Sequence, residues 1–133
     1  MDFFEPIVWM GHPLAYIIRR ELTPDSTTFL TPSEMSQQLG FVVYPAGGEI
    51  KPHLHRSIER NIRGTSEVLL LRKGRCEVDF YNNAKEPVAT RELREGDILL
   101  LVDGGHGFRM FEDTIFVEIK QGPYTGLDEK ERF

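Results

Sequence analysis

Three of the four histidines of this 133-residue chain stand where a single metal ion would need them: His53 and His55, two apart, and His106 after the Gly-rich turn Asp103-Gly104-Gly105, with Glu67 in between. Successive side chains on a strand alternate faces, so His53 and His55 would project together, roughly 6.5 Å apart along the chain. Lys51 would share their face and Leu54 would turn away. Neutral imidazole suits Zn, Cu, Fe and Ni, and a carboxylate oxygen admits Mn and favours a harder, more open site. Three His and one Glu therefore suggest one divalent transition metal (Fe, Mn, Zn or Ni) in octahedral coordination with open positions. Such an ion polarises a carbonyl or enediol oxygen, lowers the pKa of bound water or, if redox-active, binds O2.

The elements that must position these residues are short strands. Phe41-Val42-Val43-Tyr44 precedes the turn Pro45-Ala46-Gly47-Gly48, and Glu49 to His55 reads as the histidine strand. Ser66 to Arg72 and Arg75 to Tyr81 flank Lys73-Gly74 as a hairpin, and in its second strand Cys76, Val78 and Phe80 alternate with Arg75, Glu77 and Asp79. That is the half-buried pattern of an antiparallel sheet, with Cys76 as a small core residue. Val88 to Leu93, Ile98 to Val102, His106 to Phe111 and Thr114 to Gln121 continue the series between turns. Strands about every ten residues, with no long amphipathic helix, point to an antiparallel sandwich or barrel.

The intervals around the histidines resemble those of the cupin superfamily, whose first motif runs G-x5-H-x-H-x3,4-E-x6-G and whose second runs G-x5-P-x-G-x2-H-x3-N. Gly47, five residues, then His53-Leu54-His55 matches the first, as does Glu67, six residues, then Gly74. The second is looser: Gly96, five residues, Val102 in place of proline, Asp103, Gly104, His106 one position early, and Met110 in place of asparagine. Eleven residues, Arg56 to Ser66, separate His55 from Glu67 where the family has three or four, and Glu59 fits the family spacing from the His55 side. Glu67 heads the apolar run Val68-Leu69-Leu70-Leu71, as the family's glutamate strand does, whereas Glu59 lies in a polar segment without strand pattern.

The resemblance covers about residues 41 to 122. It implies an all-β, antiparallel double-sheet jelly-roll barrel, a metal held by His53, His55, Glu67 and His106, and isomerase, epimerase or dioxygenase chemistry. A non-catalytic module that binds or senses a small ligand is the alternative. The catalytic acid or base is not identified by sequence; Tyr44, Glu49 and Tyr81 are available by composition.

The length suits one domain, residues 1–133, with N-terminal strands and a loop over 1–40, the barrel core over 41–122 and a C-terminal tail over 123–133, whose charged stretch Leu127 to Phe133 is expected to be a solvated end. Ile7 to Met10 and Leu14 to Ile18 form a strand pair around Gly11-His12-Pro13, and Thr31-Pro32-Ser33-Glu34 has capping-box spacing with at most a turn of helix after it. His12 lies far from the motif and is assigned no role. The apolar segment Phe3, Phe4, Ile7, Val8, Trp9, Met10 is more than a small sandwich buries alone, and a homodimer is expected.

Sixteen basic and 21 acidic residues leave a net charge of −5, which argues against nucleic acid and a polybasic membrane anchor and favours a small-molecule ligand. One cysteine, an acidic N-terminus and no apolar run near ~18 residues point to a cytoplasmic protein. Against that acidic background, Arg56, Arg60 and Arg63 follow the histidine strand directly. Arginine offers a planar fork to phosphate or carboxylate, so these three and Lys51 are the candidate anion contacts, the alternative being a solvated loop paired with Glu59. Arg109 is a weaker candidate because its parity opposes that of His106. Phe108 and Met110 share the face of His106, and Leu69 and Leu71 that of Glu67, so a metal there would sit in an apolar pocket. Lys120, Gln121 and Tyr124 follow the last strand, where they either line the barrel mouth or cap it.

Overall fold

The computed structural model describes residues 2–133, apart from the side chains of Leu127 and Asp128. It is all-β, with antiparallel sheets and, among the described residues, no α-helix. The chain divides into two compact units, one formed by the residues up to Leu22 together with Thr65–Phe133, the other by Thr23–Gly64.

The larger unit is a two-sheet sandwich. Its strands are β1 (Phe4–Trp9), β2 (His12–Ile18), β5 (Glu67–Lys73), β6 (Arg75–Tyr81), β7 (Pro87–Arg94), β8 (Ile98–Leu101), β9 (Gly105–Met110) and β10 (Ile115–Lys120). They form a five-stranded sheet in the order β1-β2-β8-β5-β10 and a three-stranded sheet in the order β7-β6-β9. The alternation of β6 decides its packing: Cys76, Val78 and Phe80 are buried against Leu69, Leu71, Leu99 and Leu101 of the other sheet, while Arg75, Glu77 and Asp79 face outward. Each fully buried Leu or Phe in this layer contributes roughly 1.5–3 kcal/mol of hydrophobic stabilisation. Burial pushes the Cys76 thiol up, which makes it an inert core residue.

The expected double-sheet layering is present, but the sheets do not close into a barrel: no described strand pairs across from one sheet to the other. β1 and β10 end one sheet, β7 and β9 the other. Two of these edge strands carry proline, Pro6 in β1 and Pro87 in β7, which supplies no ladder N–H and is tolerated at an edge.

The strand pair at the N-terminus forms as expected, but its turn is Met10-Gly11, both at positive φ, while His12 and Pro13 belong to β2. Gly74 closes the β5–β6 hairpin at φ +98, where a Cβ would stand 2.3 Å from the Asp113 carbonyl oxygen, so only glycine fits. β5 is central and its run Val68-Leu69-Leu70-Leu71 is apolar on both faces, as a strand with neighbours on both sides requires.

The smaller unit has one short ladder, β3 (Thr28–Phe29) with β4 (Gly40–Phe41). Thr31 lies between them; its hydroxyl donates to Gln38 Oε1 and accepts from the Leu39 N–H, so it organises a loop where no helix forms. Two expected strands are corrected here. The strand from Phe41 to Tyr44 stops at Phe41, although the turn after it forms, with the Gly48 N–H on the Pro45 carbonyl at 3.0 Å. Glu49 to His55 carries no strand pairing at all. Pro52 in its middle lacks a ladder donor and restricts Lys51 before it, and the flanking residues are exposed, so nothing offsets the cost of ordering a strand.

Candidate functional site

Glu67 opens β5 with Lys120 directly opposite it on β10, and Glu118, two residues earlier on β10, opposite Leu69. Directly opposite residues share a face, so Glu67, Glu118, Lys120 and Phe116 all lie on the inner side of the large sheet. On the facing sheet, His106 stands opposite Phe80 and Phe108 opposite Val78, both on the inner side. The polar residues therefore meet at one end of the sandwich. Beneath them an aromatic row crosses between the sheets: the His106 ring lies 6.0 Å from Phe108, and Phe108 lies 5.4 Å from Phe116.

Glu67 is hydrogen-bonded to Glu118, and burial together with that neighbour pushes its carboxyl up to about 7. The charges of Lys120 and Lys130 oppose the shift. Glu118, which is largely exposed, accepts the proton of Glu67, and this bond holds it below the usual carboxylate range against a smaller loss of solvation. Two carboxyls so close cannot both ionise cheaply, and one proton is shared between them. Burial, aided by Lys130, lowers His106, so its imidazole is neutral at pH 7. Its Nδ1 is buried with no hydrogen-bond partner among the described residues, and its Nε2 lies 3.9 Å from Glu67 Oε1. Burial acts to lower Lys120, but its ion pair with Glu129 at 3.4 Å and the fields of Glu118 and Glu67 raise it, so it is a cation.

In the smaller unit the His53 and His55 rings lie 5.4 Å apart, edge to face, although no strand aligns them. His53 Nδ1 is 2.8 Å from the Lys51 carbonyl oxygen. A carbonyl only accepts, so Nδ1 donates in that bond, and Nε2 is the ring nitrogen left to face a ligand, as in an oriented metal-ligating histidine. Two imidazoles on one ion at about 2.1 Å have ring centres roughly 5 Å apart, which this pair meets.

The four expected ligands thus fall into two pairs, Glu67 with His106 in the larger unit and His53 with His55 in the smaller. Within neither unit do three His, Cys, Asp or Glu side chains among the described residues form a ready metal cluster. The donor types nevertheless suit a divalent ion: imidazoles, one of them, His106, with an unpartnered ring nitrogen, and a carboxyl group.

Neither a protein-family model, nor a curated protein, nor a solved structure matches this chain.

Lys51, Arg56, Arg60 and Arg63 are exposed in the smaller unit. Arg56 and Arg60 line an open hollow of about 820 Å³ with Leu54, His55 and Ile58. Arg109, as its parity requires, lies on the outer side of β9, bound to Glu77 and Asp79. Of the three residues after the last strand, Gln121 caps, its side-chain oxygen accepting the Ser66 N–H at 3.0 Å, while Lys120 lies at the mouth with its Nζ 5.8 Å from the Tyr124 ring. Tyr81 packs edge-on against Phe133 outside the mouth, and Tyr44 and Glu49 are solvent-exposed or nearly so in the smaller unit.

Glu118 is the residue that sequence reasoning missed. In Ile115-Phe116-Val117-Glu118-Ile119-Lys120 the uninterrupted apolar parity is Ile115, Val117, Ile119, which suggests those as the inward face, yet Ile119 is 59% exposed and Phe116, Glu118 and Lys120 point inward. The available signal was Phe116 sharing parity with two charged residues.

Proposed function

We propose that this protein is a small jelly-roll protein of the cupin type whose sandwich mouth is an acid–base site for a small oxygenated anion, such as a sugar derivative or keto acid, which it isomerises or epimerises. The observation that carries this reading is the Glu67–Glu118 carboxyl pair beside a neutral His106 on an aromatic floor. A pair of titratable groups pushed apart by one shared proton is a common arrangement for proton transfer.

In this scheme Glu118 is the base. It takes a proton from the carbon next to a substrate carbonyl, the C–H electron pair becomes the C=C bond of an enolate or enediolate as the carbonyl π pair moves onto oxygen, and on collapse the proton is returned to the same carbon from the opposite face or, in an enediolate, to the neighbouring carbon while the hydroxyl proton passes to the former carbonyl oxygen. Phe108 and Phe116 exclude water beneath the reacting atoms, which strengthens the charge interactions there. The donors proposed for a divalent transition metal are His53 with His55 and Glu67 with His106, and such an ion, when bound, would supply positive charge to a substrate oxygen. Glu67 must surrender its proton to serve as such a ligand, so its retention of a proton near neutrality makes metal uptake favour higher pH.

The test is proton exchange in D2O, followed by NMR, on pyruvate, 2-oxoglutarate and fructose 6-phosphate with metal-supplemented protein. Exchange beside the carbonyl that Glu118→Gln abolishes supports the reading. Absence of exchange with all three, in protein carrying stoichiometric metal, defeats it.

We also propose that two copies pair through β1. It is an edge strand whose Ile7 is buried in the core while Val8, Trp9 and Met10 stay exposed, an apolar margin with unpaired backbone groups.

A further inference from the structure

The segment after β10 does not run off into solvent. The 3-10 turn Gly126–Glu129 brings Glu129 to Lys120, with Thr125 Oγ1 donating to the other Glu129 oxygen at 2.9 Å. Farther on, Glu131 pairs with Lys85 at 2.9 Å, and the Phe133 ring packs edge-on at 5.0 Å against Tyr81. Phe133 also lies against Gly105, where a Cβ would approach its ring to 2.8 Å. Glu129 to Phe133 are exposed, as a solvated end requires, yet their side chains reach Lys120, Lys85 and Tyr81.

The course of this segment is informative. It leaves the large sheet at Lys120, opposite Glu67, and reaches the small sheet at the Tyr81–Gly105 pair, adjoining Phe80–His106. It thus crosses the gap between the sheets at the end where Glu67, Glu118 and His106 meet. Its hold is polar and slight: exposed or half-exposed ion pairs and one ring whose residue is 64% exposed. Contacts of that kind contribute little and exchange readily with solvent or ligand.

We propose that Lys120 is the anion-binding group of the sandwich mouth and that the segment from Tyr124 to Phe133 is a strap across it, with Glu129 occupying the place of the ligand's negative charge until a ligand displaces it. The proposal rests on the reading of the mouth as a site for a small oxygenated anion, and it names the residue that recognises the charge. Lys120 suits the task because it faces inward directly opposite Glu67, within the same cluster as the carboxyl pair, and its partner Glu129 belongs to a segment that can leave.

Inorganic phosphate, titrated by calorimetry into the full-length chain, is the probe. Glu129→Gln removes the internal carboxylate, and Phe133→Ala releases the strap without changing charge. Each is expected to tighten phosphate binding roughly two- to fivefold by raising the fraction of open mouth. A gain in F133A cannot come from the loss of a negative charge. Lys120→Gln is expected to abolish binding in every background and Lys120→Arg to retain it, with cooperative thermal unfolding showing that K120Q is folded.

Phosphate affinity unchanged in either E129Q or F133A, or surviving in K120Q, overturns the proposal. Carbon-proton exchange and metal content report on the proposed reaction separately. If they fail while the phosphate pattern holds, the reaction is wrong and the anion site stands; if the pattern fails while exchange persists, the converse is true.

Discussion

His106 Nε2, on the small sheet, lies 3.9 Å from Glu67 Oε1, on the large one. That distance is too long for a direct hydrogen bond and short enough for both atoms to move onto one shared ion or one substrate oxygen. The carboxyl pair and the neutral imidazole are therefore poised to respond to whatever enters the sandwich mouth, and the first two predictions concern the surroundings of this pair.

Metal binding should depend on Glu67 and not on Glu59. Elemental analysis of protein purified without chelators or a polyhistidine tag is expected to show one divalent ion per chain, with affinity falling at least tenfold in His53→Ala, His106→Ala and Glu67→Gln. Retention of stoichiometric metal by H53A and H106A would remove the assignment, and a loss in Glu59→Gln instead of E67Q would move the carboxylate role to Glu59.

Stability of the metal-free protein should carry a Glu67 signature between pH 4.5 and 7. The folded carboxyl is raised from the ordinary 4.5 to about 7, so its contribution is fully present below 4.5 and is lost as pH rises through 7. Because Glu118 is coupled to it and shifts the other way, the expected net effect is only on the order of 1–2 kcal/mol. His106, lowered by burial, works in the opposite sense, losing stability as pH falls below 6.5. Urea unfolding of wild type and E67Q across this range isolates the Glu67 part as their difference; a pH-independent difference would refute the shared proton.

Asp97 should be the most costly surface-proximal carboxylate to remove. It is 3% exposed, and it accepts the backbone N–H groups of Arg20 and Arg94 at 2.9 Å and the Arg19 guanidinium at 3.0 Å, tying the end of β2 to the turn before β8. Asp97→Ala leaves those donors unpaired and should cost about 3–5 kcal/mol, with Asp97→Asn recovering part of it. Thermal and denaturant melts that differ from wild type by less than 1 kcal/mol, a threshold set by ordinary exposed pairs, would show the network to be dispensable.

Association through β1 should be broken by charge at its exposed end. Light scattering at micromolar concentration is expected to give a dimer for wild type and a monomer for the Val8→Lys, Met10→Glu double variant, both folded. A monomeric wild type would end the idea.

Strand positions were legible in the residues because the alternation of Cys76, Val78 and Phe80 with charged neighbours, and the turns at Gly74 and Gly96, are local signals that need no partner to be read. The proposed ligand set rests on the same kind of local signal, since residue type and spacing lie along the chain. Three matters were settled only in three dimensions. Whether 49–55 is a strand depends on a neighbour to pair with, and with Pro52 inside it the segment has none, so His53 and His55 meet through the loop instead. Which face of β10 turns inward depends on the sheet opposite: Phe116 completes the aromatic row with Phe108 and carries Glu118 and Lys120 in with it, against the apolar parity of Val117 and Ile119. The course of the C-terminal segment depends on Lys120, Lys85 and Tyr81, contributed by two different sheets. Periodicity says that alternate residues share a face, but burial is a property of two surfaces, and the second surface comes from residues far away along the chain.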